Sequence, residues 1–408
     1  LAYQHLYEHF QGNHSMKIIY SDHPIPSEIT KSLFLAGPSP REKSVVDWRL
    51  EAVSLLKAMN FDGEVFIPIP EARFAGGEDQ ADWTYDNQVE WECKARNVAD
   101  QILFWIPRDI KNGMPGFTTN IEFGEDLGSG KIVYGRPPAA EKCRYLDKRI
   151  EGLGLPVHDS LDSVLACAIG ALGKGALRCQ GEVNVPLFIW NTVSFQIWYN
   201  NLKRAGNRLD GAHLLHHFRL PNGKVLSFNL AVNIWVAAEQ RHKSNEFIIS
   251  RPDISVVVAY YQENVNVPRK QVVLIKEFRS TVNNSGGYVY ELPGGSAVEN
   301  PGVDLAGLVN AQHELHEEAG ILIDDMQRFE YVGLKQLTAT QSTHRAQVYR
   351  VALTQAEYES LARSAANGQE FGVEGDGERT SVHVVDLIDL DRYALDFSMI
   401  GIIHTALK

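Results

Sequence analysis

The sequence predicts two α/β-class domains in tandem: a parallel sheet wrapped by helices, then a mixed α+β domain around one central helix. Three observations carry this reading. The chain has 408 residues, too many for one ordinary core. From 32 to 175, short apolar runs alternate with helical patterns, the order that gives a parallel sheet. Beyond about residue 190, strand-like runs follow one another across turns such as "LPNGK" and "VNNSGG".

In the first part, "SLFLAG" reads as a buried strand ending in a Gly-Pro loop. "VVDWRLEAVSLLKAM" reads as an amphipathic helix, with Val46, Leu50, Val53 and Leu56/Lys57 near helical spacing. "GEVFIPIP" is a strand stopped by proline, "DNQVEWECKARNVA" a helix and "DQILFWIP" a strand. "TTNIEFGEDLGSG" starts a helix, "KIVYG" is a strand, and "DSLDSVLACAIGAL" closes the series with a helix. Ligands of such a sheet bind beyond the carboxyl ends of its strands. A changeover falls at about 176 to 190, so the domains are set at 16–175 and 176–408. In the second, "KVLSFNLAVNIWVAA", "ISVVVAYYQ", "KQVVLIKEFRS" and "YVYELPGG" read as strands. A helix follows at about 304 to 319, then "FEYVGLKQLTA", "HRAQVYRVAL", a polar loop near 364 to 379, "TSVHVVDL" and a last helix. Residues 1–15 resemble a tag remnant ahead of Met16 and are left out of the fold reading.

Composition narrows the function classes. Hydrophobic residues make up 44% and charged residues 22%, normal for a soluble globular protein. A formal net charge of -12 argues against a broad nucleic-acid-binding surface, and no basic recognition helix is found. The four cysteines, Cys93, Cys143, Cys167 and Cys179, form no CxxC pair, which suits a reducing, cytoplasmic setting. No apolar run reaches transmembrane length.

Residues 313 to 321 read "HELHEEAGI". Positions i, i+3 and i+4 of a helix share a face, so Glu314, Glu317 and Glu318 point the same way and repel one another. A hard divalent cation, Mg2+ or Mn2+, would offset that repulsion. "YELPGG" upstream supplies a strand and a loop whose Gly294 and Gly295 permit close approach. With "VVLIKEFRS" and "EGDGERTSVHVV" (374 to 385), these residues resemble the ADP-ribose pyrophosphatase branch of the Nudix hydrolases, over roughly 185 to 408. His313 stands at the motif arginine, and Leu305 where the first motif glutamate would fall, with Glu299 or Asp304 as replacements. The resemblance implies a Nudix fold with Glu314, Glu317 and Glu318 as metal ligands, Glu318 also catalytic. It implies a general base from Glu374 or Glu378, and Arg279 on a phosphate; a solvated acidic loop and a surface ion pair are the alternatives. A histidine at 313 would pair with Glu317 one turn on. Relatives of this branch often dimerise, and the apolar "VPLFIWNTVSFQIWY" reads as a homodimer interface or as core.

Six blocks in the first part occur in order: "FLAGPSPR" (34 to 41), "WR" (48 to 49), "DNQVEWE" (86 to 92), "ADQILFWIPR" (99 to 108), "TTNIEFG" (118 to 124) and "GRPPAAEKCRYLD" (135 to 147). Together they resemble the nucleoside 2-deoxyribosyltransferase-like family, which implies a flavodoxin- or Rossmann-like fold. The likeness puts the carboxylate nucleophile for an N-glycosidic bond on Glu122. Thr119-x-x-Glu122 also reads as a helix capping box. Asp100 is expected to hold the base or ribose, or to cap locally, and Gly37 to allow close ligand approach, or to make a tight turn. Arg41 and Arg108 are expected to meet a phosphate, or to form surface ion pairs. Phe34 replaces a tyrosine of the classical transferases.

The reading is a two-domain nucleotide-processing enzyme acting on small molecules. One site would break or transfer an N-glycosidic bond. The other would hydrolyse ADP-ribose or a related nucleoside diphosphate derivative, so that NAD would pass to ADP-ribose and then to AMP and ribose 5-phosphate. The rival reading is a nucleotide sensor that binds without turnover and signals to a protein partner.

Overall fold

The computed structural model describes residues 15–42, 44–77, 83–263, 269–296, 304–372 and 377–408. The chain divides into two compact units. The first runs to Phe218 and takes in Phe228–Phe247; the second comprises Arg219–Ser227 and Ile248–Lys408.

The first unit is built, in chain order, from β1 (Lys17–Tyr20), β2 (Ser32–Ala36), α1 (Trp48–Ala58), β3 (Glu64–Ile67), α2 (Tyr85–Val98) and β4 (Gln101–Trp105). Then come α3 (Phe117–Asp126), β5 (Ile132–Gly135), α4 (Arg144–Glu151), β6 (Val157–His158) and α5 (Leu161–Leu172). The six strands form one sheet in the order β1-β3-β2-β4-β5-β6, every pairing parallel. Leaving out β1 at the edge, this is the doubly wound order whose direction of winding reverses between β2 and β4. The strands are apolar on both faces, as a sheet covered on both sides requires. Leu33, Leu35, Val65, Ile67 and Leu103 pack under α1 and α5. Phe34, Phe66, Ile102, Phe104 and Tyr134 pack under α2, α3 and α4.

Two local expectations are corrected. The buried face of α1 is Trp48, Arg49, Ala52, Val53 and Leu56, whereas Val46 and Leu50 are exposed. The cause is Asp47, whose side chain accepts from the Arg49 N–H and starts the helix there, leaving Val46 outside it. Helix α3 starts at Phe117 behind Gly116, which sits at φ 61°. Thr119 and Glu122 therefore lie inside the helix, and the capping-box reading of that pair does not apply.

The boundary expected at 175/176 does not coincide with the division into units. Residues 178–179 pair with Glu28–Ile29, and Arg178 is tied to Asp100 at the start of β4, so this stretch belongs to the first unit. The apolar stretch 185–199 turns core-ward at Val185, Leu187, Ile189, Phe195 and Tyr199, the last two on α6 (Val193–Arg204). β7 (Arg208–Arg219), β8 (Val225–Val236) and β9 (Arg241–Ser250) form a three-stranded sheet.

The second unit contains β10 (Ile254–Tyr261), β11 (Gln271–Phe278), β12 (Tyr288–Glu291), α7 (Asp304–Ala319), β13 (Glu330–Gln336), β14 (Arg345–Ala352), α8 (Gln355–Ala366), β15 (Thr380–Asp386) and α9 (Phe397–Ala406). Its sheet is mixed: β10 runs parallel to β14 and antiparallel to β11, which pairs antiparallel with β12 and β15. Ala311, Leu315 and Ala319 of α7 cover one face, and Met399, Ile402 and Ile403 of α9 cover the other. Helix α8 starts before the expected polar loop and reaches into it, opened by a capping box between Thr354 and Glu357. No helix among the described residues is long and apolar enough to cross a membrane.

One buried charge bears on stability. Glu64 opens β3 and is 7% exposed, and its Oε2 has no hydrogen-bond partner. Burial raises its pKa first, and Asp100 adds to the rise. A carboxyl whose folded pKa lies above its unfolded value loses stabilising free energy as pH rises through the two. Glu64→Gln is therefore expected to match the wild type at low pH and to be more stable by about 1 kcal/mol at pH 8. Melting curves followed by tryptophan fluorescence check this; a variant no more stable at pH 8 would refute it.

Candidate functional site

In the first unit, Glu122 comes together with a residue that the sequence reading did not single out, Glu92. Glu92 projects from α2 and Glu122 from the second turn of α3, and a hydrogen bond links their carboxyl groups. Both are half-buried. Burial, and then the Glu92 charge, push Glu122 up to about 7. Burial also raises Glu92, and Arg49 and Arg96 favour the charged form of both. Such a pair titrates as a unit and holds one proton near neutral pH.

Arg49 joins this pair to the carboxyl end of β2. Its Nε donates to the Leu35 carbonyl at 2.9 Å and its Nη2 to the Gly37 carbonyl at 2.7 Å, while Asp47 and Ser39 hold Nη1. The residue is 1% exposed. On the other side Gln88 donates from Nε2 to Glu92 Oε1 at 2.7 Å and to the Pro68 carbonyl at 3.0 Å. The Trp83 indole N–H donates to Gln88 Oε1 at 3.0 Å. At 88, 92 and 96, one turn apart, the α2 face carries Gln, Glu and Arg; that spacing groups the three on one face but does not reveal the pairing with Glu122.

Gly37 is required by packing: a Cβ there would lie 2.1 Å from the Trp105 carbonyl oxygen and 2.8 Å from the Trp48 ring, at φ +155°. That close approach is to the protein itself. Phe34 is buried and its ring lies against Trp91. Arg41 is exposed, its backbone N–H bonded to Gly113. Arg108 is buried, spent on the Lys142 carbonyl and the Asn120 side chain beside the start of α3, with its Nε unpartnered.

Asp100 is a correction to the expectation of base or ribose binding. It is 1% exposed and takes a bidentate pair from Arg178 at 2.7 and 2.6 Å. It also accepts from the Ser32 N–H, the Ser32 hydroxyl and the Leu187 N–H. With those bonds made, nothing is left for a ligand, and Asp100 lies where β2 and β4 begin, the edge opposite their carboxyl ends. A cleft of about 480 Å³ opens near that same edge, where α2 and α3 finish, lined by Arg96, Asp126, Lys131, His213 and His216. Glu92 and Glu122 do not line it.

In the second unit the carboxylates gather around Gly294 and Gly295. Gly294 N–H donates to Glu318 Oε2 at 2.8 Å. A Cβ at Gly295 would lie 2.2 Å from Glu314 Oε1, and one at Gly294 2.5 Å from the Ser255 carbonyl oxygen, so both positions need the missing side chain. Burial, then Glu317 and Glu378, push Glu314 up to about 7. Burial, then Glu314, Glu378 and Glu277, push Glu318 up to about 9 against the Gly294 hydrogen bond. Glu317 is paired with His313 Nδ1 at 3.0 Å, as expected for a histidine one turn away. Glu378 is exposed and faces Glu314 and Glu318, whereas Glu374 and Glu299 lie outside the described residues, as does the side chain of Asp304. Arg279 is already shared by Glu291 at 2.9 Å and Glu277 at 2.7 Å. The Glu277 contact is an ion pair without hydrogen-bond geometry, since Oε2 has no hydrogen-bond partner.

This donor set, oxygen-only and mutually repelling, with Glu318 buried and Glu314 and Glu317 half-buried, has the chemistry a hard divalent cation takes. As placed, no three His, Cys, Asp or Glu side chains among the described residues converge as a metal site. Side-chain rotation, with water and substrate oxygens, would have to complete a shell around Glu314 and Glu318.

No curated protein matches the chain. Residues 30–139 match the family model described as "Nucleoside 2-deoxyribosyltransferase like", and they include Gly37, Arg49, Gln88, Glu92 and Glu122. The parallel sheet of the first unit thus carries, at 30–139, a nucleoside 2-deoxyribosyltransferase-like domain.

Proposed function

We propose that the first unit cleaves or transfers the N-glycosidic bond of a nucleoside or nucleotide, with Glu122 as nucleophile and Glu92 as its proton partner. The observation that carries this is the half-buried carboxyl pair, each group shifted upward by burial, beside Arg49 and the carboxyl end of β2. Attack by a Glu122 oxygen on C1′ forms an ester as the C1′–N bond breaks. The proton held by the pair goes to the departing base nitrogen, so the base leaves neutral. Water or a second base then takes the sugar from Glu122. Incubation with a panel of nucleosides and nucleoside monophosphates, followed by chromatography for free base, tests it. No base release from any member would reject the reading.

A second reading concerns the second unit, and the crowding of Glu314 and Glu318 against Gly294–Gly295 favours it. We propose a Nudix-type site that hydrolyses ADP-ribose or a related nucleoside diphosphate derivative. A Mg2+ or Mn2+ ion held by Glu314 and Glu318, with Glu317 alongside, would neutralise phosphate charge and acidify an attacking water. Glu378, whose charge bears on Glu314 and Glu318, would accept a proton from that water, with Glu374 as the alternative base. Together the two activities would turn NAD into ADP-ribose and then into AMP and ribose 5-phosphate. Glu318→Gln is expected to lower AMP release from ADP-ribose about a hundredfold or more in Mg2+. Tight ADP-ribose binding by the wild type with no AMP would select the sensor reading instead.

A further inference from the structure

The Gln88 amide is locked by its neighbours. The Trp83 indole N–H is a donor only, so it meets the amide oxygen. The Pro68 carbonyl is an acceptor only, so it meets the amide nitrogen. The two contacts fix the amide's orientation by donor and acceptor chemistry. The remaining N–H then necessarily faces Glu92 Oε1, at 2.7 Å.

We propose that Gln88, oriented by Trp83 and Pro68, keeps Glu92 ionised and places the single proton of the pair on Glu122, reserving the second Glu92 oxygen as the relay for that proton. This rests on the reading that the pair works at a glycosidic bond. A donor held against one carboxylate oxygen favours the charged form and closes that oxygen to protonation. Among the described residues, the charged groups that act most on the pair are Arg49 from α1, Arg96 from α2 and Asp126 from α3. Both arginines act on both carboxyls and do not choose between them. Asp126 acts on Glu122 and disfavours its charge, the same direction as Gln88.

The relay balances. As Glu122 attacks C1′, its proton crosses to the open oxygen of Glu92. The C1′–N electron pair departs with the base and takes that proton. Glu122 ends as the glycosyl ester and Glu92 as the carboxylate it began as. Gln88 touches no reacting atom and is a positioning residue.

The test is a carboxyl titration of the full chain labelled with 13C at the glutamate carboxyl carbons, over roughly pH 5 to 8. Glu92→Gln and Glu122→Gln assign the two signals. In the wild type, Glu122 is expected to titrate near neutral pH and Glu92 at a lower pH. In Gln88→Met, of similar length but without a donor, the Glu92 midpoint is expected to rise by about one unit and the gap to close. Trp83→Phe frees the amide without removing it, so a smaller shift of the same sign is expected; it also serves if Gln88→Met does not fold. Unchanged midpoints in both variants would overturn the proposal. Because the readout needs no turnover, a wild type that releases no base would count against the glycosidic reading alone.

Discussion

Glu122→Gln is expected to lower base release by about a thousandfold or more, because it removes the group that captures C1′. Glu92→Gln keeps the nucleophile and loses only the proton relay, so a loss of about a hundredfold is expected. A substrate whose base leaves without protonation should restore Glu92→Gln and not Glu122→Gln. The wild-type rate is expected to fall as pH rises through about 7, where the pair gives up its last proton. Stability follows the same titration. Glu122 has a folded-state pKa above its ordinary value of 4.5, so the stability of its neutral form is lost as pH rises from there through about 7. Glu122→Gln should therefore melt higher than the wild type at pH 8 while being far less active. Equal loss in both glutamine variants on the activated substrate would remove the distinction between nucleophile and relay.

The legible parts of this molecule are those in which local pattern and tertiary role agree. The parallel strands announced themselves because both faces of the sheet are covered, so "SLFLA", "EVFI" and "QILFW" are nearly continuous apolar runs. Glu122 was singled out through the family resemblance, and the pairing of His313 with Glu317 followed from helical spacing. Helix α4 was missed because "RYLDKRIE" is highly charged and buries only Leu146, Asp147 and Ile150. Helix α8 was missed although Thr354 and Glu357 spell a capping box. Glu92 was missed for a deeper reason. Its meeting with Glu122 depends on α2 and α3 lying side by side on one face of the sheet, clamped by Arg96 on Asp126 at 2.6 Å. That is a tertiary fact, and no spacing within either helix contains it. Asp100 shows the converse: an acid between a helix and a strand invites a ligand role, but the partner 78 residues away was invisible locally.

That partner sets the largest stability effect expected here. Arg178 is 0% exposed, and the ion pair it forms with Asp100 has no water to fall back on. A buried pair is weak grounds for stability when compared with apolar residues, but breaking one half leaves a stranded charge. Arg178→Met is therefore expected to destabilise the first unit by about 3–5 kcal/mol, the Asp100 carboxylate keeping only its bonds from Ser32 and Leu187. At a few degrees per kcal/mol for a unit of this size, the melting point should drop by roughly 6–20 °C. The measurement is unusually clean. All seven tryptophans, Trp48, Trp83, Trp91, Trp105, Trp190, Trp198 and Trp235, lie in the first unit, so their fluorescence reports that unit and not the second. Adding Asp100→Asn to Arg178→Met removes the stranded charge and should recover part of the loss: the amide oxygen, standing in for Oδ2, still accepts from Ser32, while the Leu187 N–H loses its acceptor. If Arg178→Met alone shifts the midpoint by no more than an ordinary surface change, the pair does not anchor residues 176–187 to the sheet. If the double variant is as unstable as the single, the loss comes from broken hydrogen bonds, those of Arg178 to the Ala176 and Val185 carbonyls and that of Leu187 to residue 100, rather than from the charge.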